Sequence, residues 1–366
     1  MSPLTYSLLL AHMSLLSGPE NICLSPYSLQ SAFVLVQEGA KGDTKEQITS
    51  TLDTKNFVIL PQAEENEKNL ITFEQANSIW INSLNCPSIK RSFLKTNEKK
   101  YQAEVVSMPF NGEGKQRINS WCSEKTHGRI PNAIDELPSS EVMELINAIY
   151  FKGSWVTSFN PRFTNKEDFY LTASADSDPI QVDMMHNTMH YQYAEDDLCQ
   201  YIELPFDRNY ETEEDEYVLQ IVLPREETTL AELDKALAEG YELPALGHHK
   251  VRLALPKFEV NYSADLIPAL KKMGMDLPFT AKANFKNISK APLQISTVRQ
   301  KTFFKVDETG AEAAAVTTIG MRLTSAAPRP EKVYEMTIDR PFLIQLVNKT
   351  RDITLFVGNI INPTKN

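Results

Sequence analysis

The stretch from Val306 to Pro328 constrains this chain more than any other part of its sequence. A strand signal ends at Val306, and Asp307-Glu308-Thr309-Gly310 leads into a long run of small residues: Ala311-Glu312-Ala313-Ala314-Ala315-Val316-Thr317-Thr318-Ile319-Gly320-Met321-Arg322-Leu323-Thr324-Ser325-Ala326-Ala327. Connections of about 20 residues are rare in compact domains and are usually functional. Small residues suit a flexible linker or an Ala-rich helical turn. They also suit a strand: when extended, Ala311, Ala313, Ala315 and Thr317 point to one face, and side chains that small enter a sheet core without clashes. One segment could thus be exposed in one state of the molecule and a strand in another.

The rest of the chain removes most alternatives. At 366 residues, 42% hydrophobic and 23% charged, it matches an ordinary soluble globular protein with a large core. No apolar run is long enough for a membrane-spanning helix. Asp and Glu total 48 against 37 Lys and Arg, a net charge of −11, which makes a poor non-specific binder of nucleic acid. The basic cluster Lys90, Arg91, Lys95, Lys99 and Lys100 is flanked by acids and reads as a solvated helix face.

The four cysteines, Cys23, Cys86, Cys122 and Cys199, form no CxxC and have no histidine at ligand spacing, so no zinc or redox centre is expected. Cys23 and Cys122 sit in apolar runs and read as core residues. None of the six histidines lies in HExxH, and GxSxG, P-loop and GxGxxG patterns are absent. His186 and His190 have i,i+4 spacing, but the alternation around them reads as a strand, which sets them about 13 Å apart. The expectation is no metal, no cofactor and no enzymatic constellation.

Helices dominate early and strands late. Leu8, Leu9, Met13 and Leu16 repeat at helical spacing. Ser25-Pro26 makes a capped helix start, Thr44–Leu52 a short helix, and residues 62–69 a surface helix or loop. Strands are expected at 78–81, 103–106, 142–151, 164–171, 179–193, 200–204, 217–223, 250–260, 296–307, 342–348 and 353–360. Helices are expected at 115–130, 229–239 and 262–274, with Glu211–Glu216 as a hairpin tip. With no repeat and no Gly/Ser linker, this predicts α+β with large, mostly antiparallel sheets in one domain.

The sequence resembles the serpin family along nearly its whole length. The markers run in order: Asn21 with Ser25-Pro26-Tyr27-Ser28-Leu29; Gly39-Ala40-Lys41-Gly42-Asp43-Thr44; Asn147-Ala148-Ile149-Tyr150-Phe151-Lys152-Gly153-Ser154-Trp155; Leu255-Pro256-Lys257-Phe258; Glu308-Thr309-Gly310-Ala311-Glu312-Ala313-Ala314-Ala315; Asp339-Arg340-Pro341-Phe342; and Phe356-Val357-Gly358-Asn359-Ile360-Ile361-Asn362-Pro363. Each is weak alone; together and in order they are specific.

The resemblance implies a single α+β domain over residues 1–366, with three β-sheets, about eight or nine helices, and an exposed reactive-centre loop at about 308–330. It implies a monomeric suicide substrate: a serine protease cleaves the loop, and the acylated loop inserts as a new strand in the large sheet. Loop insertion is a known instance of strand addition and stored strain in this family. About 14 inserted residues at roughly 3.3 Å each span about 45 Å, enough to cross such a domain.

By position, Ser25, Ser28 and Asn147 match the family's shutter, the polar cluster beneath the large sheet. Gln300 stands where many members carry His; it takes no charge near neutral pH, so that position predicts no pH-dependent opening. Trp155 matches the breach at the top of that sheet. Glu308, Gly310, Ala311, Glu312, Ala313, Ala314 and Ala315 match the hinge, and none is bulky or Pro. At the usual loop length the scissile bond falls between Thr324 and Ser325; shorter loops would put Leu323 or Arg322 before it. Thr suits elastase- or subtilisin-like pockets, Leu chymotrypsin-like or elastase-like ones, and Arg trypsin-like ones. The alternative is a non-inhibitory serpin with a carrier, chaperone or storage role. The short segment before the first helix fits a chain whose leader has been removed, which points outside the cell or to its surface.

Overall fold

Ser25 does at the backbone what its sequence context predicts. It is extended (φ −117°, ψ 98°), its Oγ accepts from Ser28 N, and Pro26 opens the helix behind it. That helix is buried along nearly its whole length and lies at the centre of a computed structural model that describes residues 3–16, 18–60, 70–86, 88–172, 178–209, 215–311 and 331–365.

Numbered along the chain, the helices are α1 (Pro3–Met13), α2 (Pro26–Gln37), α3 (Gly42–Leu52), α4 (Arg91–Tyr101), α5 (Gly112–Lys125), α6 (Leu230–Ala238) and α7 (Ile267–Lys272). The strands follow two hydrogen-bonded paths. One runs β1 (Ile22–Leu24), β15 (Ile353–Ile360), β14 (Phe342–Asn348), β8 (Tyr217–Pro224), β7 (Cys199–Pro205), β6 (Ile180–Glu195), β9 (Gly247–Pro256) and β13 (Val333–Thr337), with β5 (Asn165–Phe169) on β6. The other runs β10 (Phe258–Asp265), β11 (Thr297–Val306), β4 (Met143–Ser154), β2 (Ile71–Asn82) and β3 (Glu104–Met108), with β12 (Gly310–Ala311) on β4.

Three sheets were expected and two paths are found, because β6 belongs to two groups at once. Its residues 184–193 pair with β9, while 192–195 pair with β7. One 16-residue strand therefore joins what the resemblance counts as separate sheets. Seven α-helices occur among the described residues, none long and apolar enough to cross a membrane.

The expected strand at 250–260 breaks at Lys257, with β9 in one sheet and β10 in the other. The helix expected from residue 262 starts later. Pairing with β11 runs from Phe258↔Val306 to Asp265↔Arg299, and this ladder overrides local helical spacing. Phe73, Phe151, Phe206, Tyr217, Phe304 and Phe356 belong to the core between the sheets; Trp80, Trp121 and Ile146 form a separate cluster under α5. The segments at 62–69 and 211–214 lie outside the described residues.

Candidate functional site: the seam between β4 and β11

β4 is twelve residues long, yet on its β11 side two short registers hold it. At its lower end β11 pairs with it in parallel, Thr297↔Glu144 through Gln300↔Asn147. At its upper end β12 pairs with it antiparallel, Gly310↔Ser154 and Ala311↔Gly153. Neither register covers residues 148–152. On the other side β2 runs against β4 from Ile71↔Gly153 to Ile81↔Met143.

The upper end is built from backbone contacts that admit only small residues. Gly310 has φ +155°, and a Cβ there would lie 2.0 Å from Gly153 O. A Cβ on Gly153 would meet Phe206 at 2.9 Å. Ala311, 2% exposed, packs in the same core cluster as Phe151, Trp155 and Phe206. Trp155 stacks on Phe206 with ring centroids 4.5 Å apart. Its ring Nε1 donates to Asp307 O at 3.0 Å and its backbone N–H to Thr309 O at 2.9 Å. The tryptophan thus holds the turn that feeds β12.

Glu308 is tied on three sides. Thr164 Oγ1 donates to one carboxylate oxygen at 2.9 Å and Lys257 Nζ pairs with the other at 2.9 Å, while Phe159 N donates to its carbonyl. Burial alone would raise this carboxyl, but the hydrogen bonds from Lys257, the backbone and Thr164 outweigh it and hold it below its ordinary value. Lys257 lies in a quoted motif; Thr164 had no sequence signal.

Lower down, Gln300 locks β11 onto the start of α2. Its Oε1 accepts from Ser25 N at 2.8 Å and its Nε2 donates to Ser25 O at 2.9 Å. Thr302, which the sequence reading did not single out, adds a bond to Cys23 O at 2.6 Å. Ser28 is buried one turn into α2. The backbone of Asn147 stands in register between Asn77 on β2 and Gln300 on β11. Gln300 and Ser25 thus bond at the lower end of the seam, with Ser28 N capped by Ser25 Oγ and the backbone of Asn147 in register beside Gln300.

Whole-chain comparisons identify the family. A family model described as Serpin (serine protease inhibitor) matches residues 5–363. The chain belongs to the serpin family. Serpin-Z2A of wheat, Triticum aestivum, is 30% identical, with 95% of this chain and 92% of that one covered. Among solved structures, Serpin48 of the insect Tenebrio molitor superposes with a TM-score of 0.81 at 28% identity, covering 98% and 96% of the two chains. Human thyroxine-binding globulin complexed with thyroxine gives 0.82 at 25% identity over 99% and 98%.

In this serpin, the expected hinge residues Glu312, Ala313, Ala314 and Ala315 and the candidate bond residues Arg322, Leu323, Thr324 and Ser325 lie outside the described residues. His186 and His190 sit on β6 and face different carboxylates, Glu167 at 2.6 Å and Glu331 at 2.8 Å. All four cysteines are free and buried; burial pushes the Cys23 and Cys122 thiols up to about 12, the behaviour of packing residues rather than nucleophiles. Arg91, Lys95, Lys99 and Lys100 are exposed on α4, with Lys100 paired to Glu38.

Proposed function

We propose that this serpin is an irreversible suicide-substrate inhibitor of serine proteases, acting as one domain with a reactive-centre loop at about 308–330. The observation that carries the reading is β12: Gly310 and Ala311, near the start of the loop segment, already pair antiparallel with β4 at the top of the seam. Continued down β4, that register would set Ala313 opposite Phe151, Ala315 opposite Ile149 and Thr317 opposite Asn147. Directly opposed residues share a face, and Phe151 and Ile149 belong to the core that already holds Ala311. Only small side chains fit there.

Completing the strand requires β11 to leave Glu144–Asn147 and the Gln300–Ser25 clamp to shift. At about 1 kcal/mol net per backbone hydrogen bond, a strand of this length returns on the order of 10 kcal/mol. That is comparable to the stability of a domain and enough to disturb a protease whose catalysis depends on close placement of nucleophile and base.

The test is incubation with elastase-, subtilisin-, chymotrypsin- and trypsin-like enzymes, read on a denaturing gel and by mass spectrometry. The reading expects a protease–serpin band that survives boiling in detergent. It also expects a C-terminal peptide beginning at Ser325 for elastase-like enzymes, with cleavage after Arg322 and poorer trapping for trypsin-like ones. Clean cleavage without that band across all four enzymes would favour a non-inhibitory role. The structural likeness to a thyroxine-bound relative makes a small-molecule carrier the reading to test next.

A further inference from the structure

Glu144 is the charged residue that should not be where it is. It lies in the part of β4 that pairs with β11, opposite Thr297, and is 0% exposed. Its register partner on β2 is Trp80, which packs edge-on against Trp121 of α5. The side chain within hydrogen-bonding reach of Glu144 is another carboxyl, Glu141, a contact that favours the protonated form, and Arg299 Nε is buried without a partner. A charge buried so poorly paired is costly, and a carboxyl group escapes the cost by keeping its proton.

The charged groups around it come from every neighbouring element. Glu141 precedes β4. Arg299 on β11 stands opposite Ile146, two residues along from Glu144, and Asp265 on β10 stands opposite Arg299. On α5, Arg117 lies over the Trp80 ring at 6.0 Å. Farther along β11, Lys301 is turned to the carbonyl of Asn132. Burial first, then Glu141, raise the Glu144 carboxyl well above the carboxylate range; Arg299 opposes them without cancelling them.

We propose that Glu144 is a proton latch on the β4–β11 seam: protonated while the strands are paired, it must release its proton when they part. The inference rests on the reading that this seam opens for the loop. A parted seam admits water and the amides of an entering strand, so the carboxylate is solvated there. The open state therefore binds fewer protons than the closed one, and opening is favoured as pH rises, by at most about tenfold per pH unit for one proton. The dependence lies at a carboxyl group, not at the shutter position where Gln300 cannot titrate.

The probe is a synthetic peptide of residues 310–323, annealed to the intact protein and followed by mobility on a native gel at pH 6.5 and 8.5. The wild type should incorporate it roughly tenfold faster or more at the higher pH, whereas Glu144→Gln, which has no proton to release, should change by less than about twofold and stay slower than the wild type at both pH values. Glu144→Ala, also neutral but smaller, replaces the Gln variant if that one does not fold. An equal or opposite pH slope in wild type and variant overturns the latch and leaves loop insertion standing. Failure of the wild type to take up the peptide at either pH overturns loop insertion and the latch with it.

Discussion

One side-chain amide, Gln300, satisfies both backbone polar groups of Ser25, and both partners are buried. Gln300→Leu would leave that N–H without its partner, at about 1–3 kcal/mol, while the C=O would keep its bond from Leu29 N. Chemical denaturation should show that loss, and spontaneous conversion to a loop-inserted form should quicken, because the clamp is released in any opening of the seam. Ser25→Ala removes only the cap and should cost about 1 kcal/mol. A second buried group tests proton linkage away from the seam. Asp234 on α6 is 2% exposed, and burial pushes it up to about 7 although Asn359 Nδ2 donates to it at 2.6 Å. The unfolded chain gives up this proton near pH 4, the folded chain near 7. Between those values the folded state binds the proton more tightly, so its stability falls as pH rises. Asp234→Asn should match wild type near pH 4 and exceed it above pH 7 by an amount on the order of a few kcal/mol. Urea unfolding at the two pH values measures the gap; a constant offset would contradict the assignment.

At the level of elements, the hinge predicts a sharp asymmetry between neighbours. In an inserted strand Ala313 would share the face of Ala311, which is already in the core, so Ala313→Arg would bury an unpaired charge only in the inserted state, at several kcal/mol. The variant should fold normally, be cleaved at the same bond, and behave as a substrate. In that strand Glu312 would point the other way, and Glu312→Ala should be much milder. The readout is serpin consumed per protease trapped. How much of this could be read from the sequence depends on the distance over which each element is decided. Ser25-Pro26 is a local signal, and the cap is where it was expected. The strand expected at 296–307 likewise matches β11 to within a residue at each end. The break at Lys257 and the extent of β10 were missed because pairing with β11, not local spacing, decides them. Gln300 was placed by the family pattern, but its contact with Ser25 spans 275 positions and no local pattern announces it. Glu144 escaped notice because it is one acidic residue in an otherwise apolar run, and only its burial makes it unusual.

For the molecule as a whole, the proposed function implies a chain held short of a more stable arrangement. On that reading β12 is where the new strand would start, and the four-residue register of β11 with β4 is what would have to give way. Cleavage of the loop should therefore raise thermal stability instead of lowering it. With about 10 kcal/mol released, the unfolding transition should move up by tens of degrees, and calorimetry before and after limited elastase digestion would show it. The most direct measurement is a crystal structure of the chain cleaved between Thr324 and Ser325. The account predicts residues 312–320 antiparallel along β4, Ala313 opposite Phe151 and Ala315 opposite Ile149, with β11 displaced from Glu144–Asn147 by the new strand. A cleaved structure in which Thr297–Gln300 still pair with Glu144–Asn147, and the loop lies outside the sheet, would contradict it.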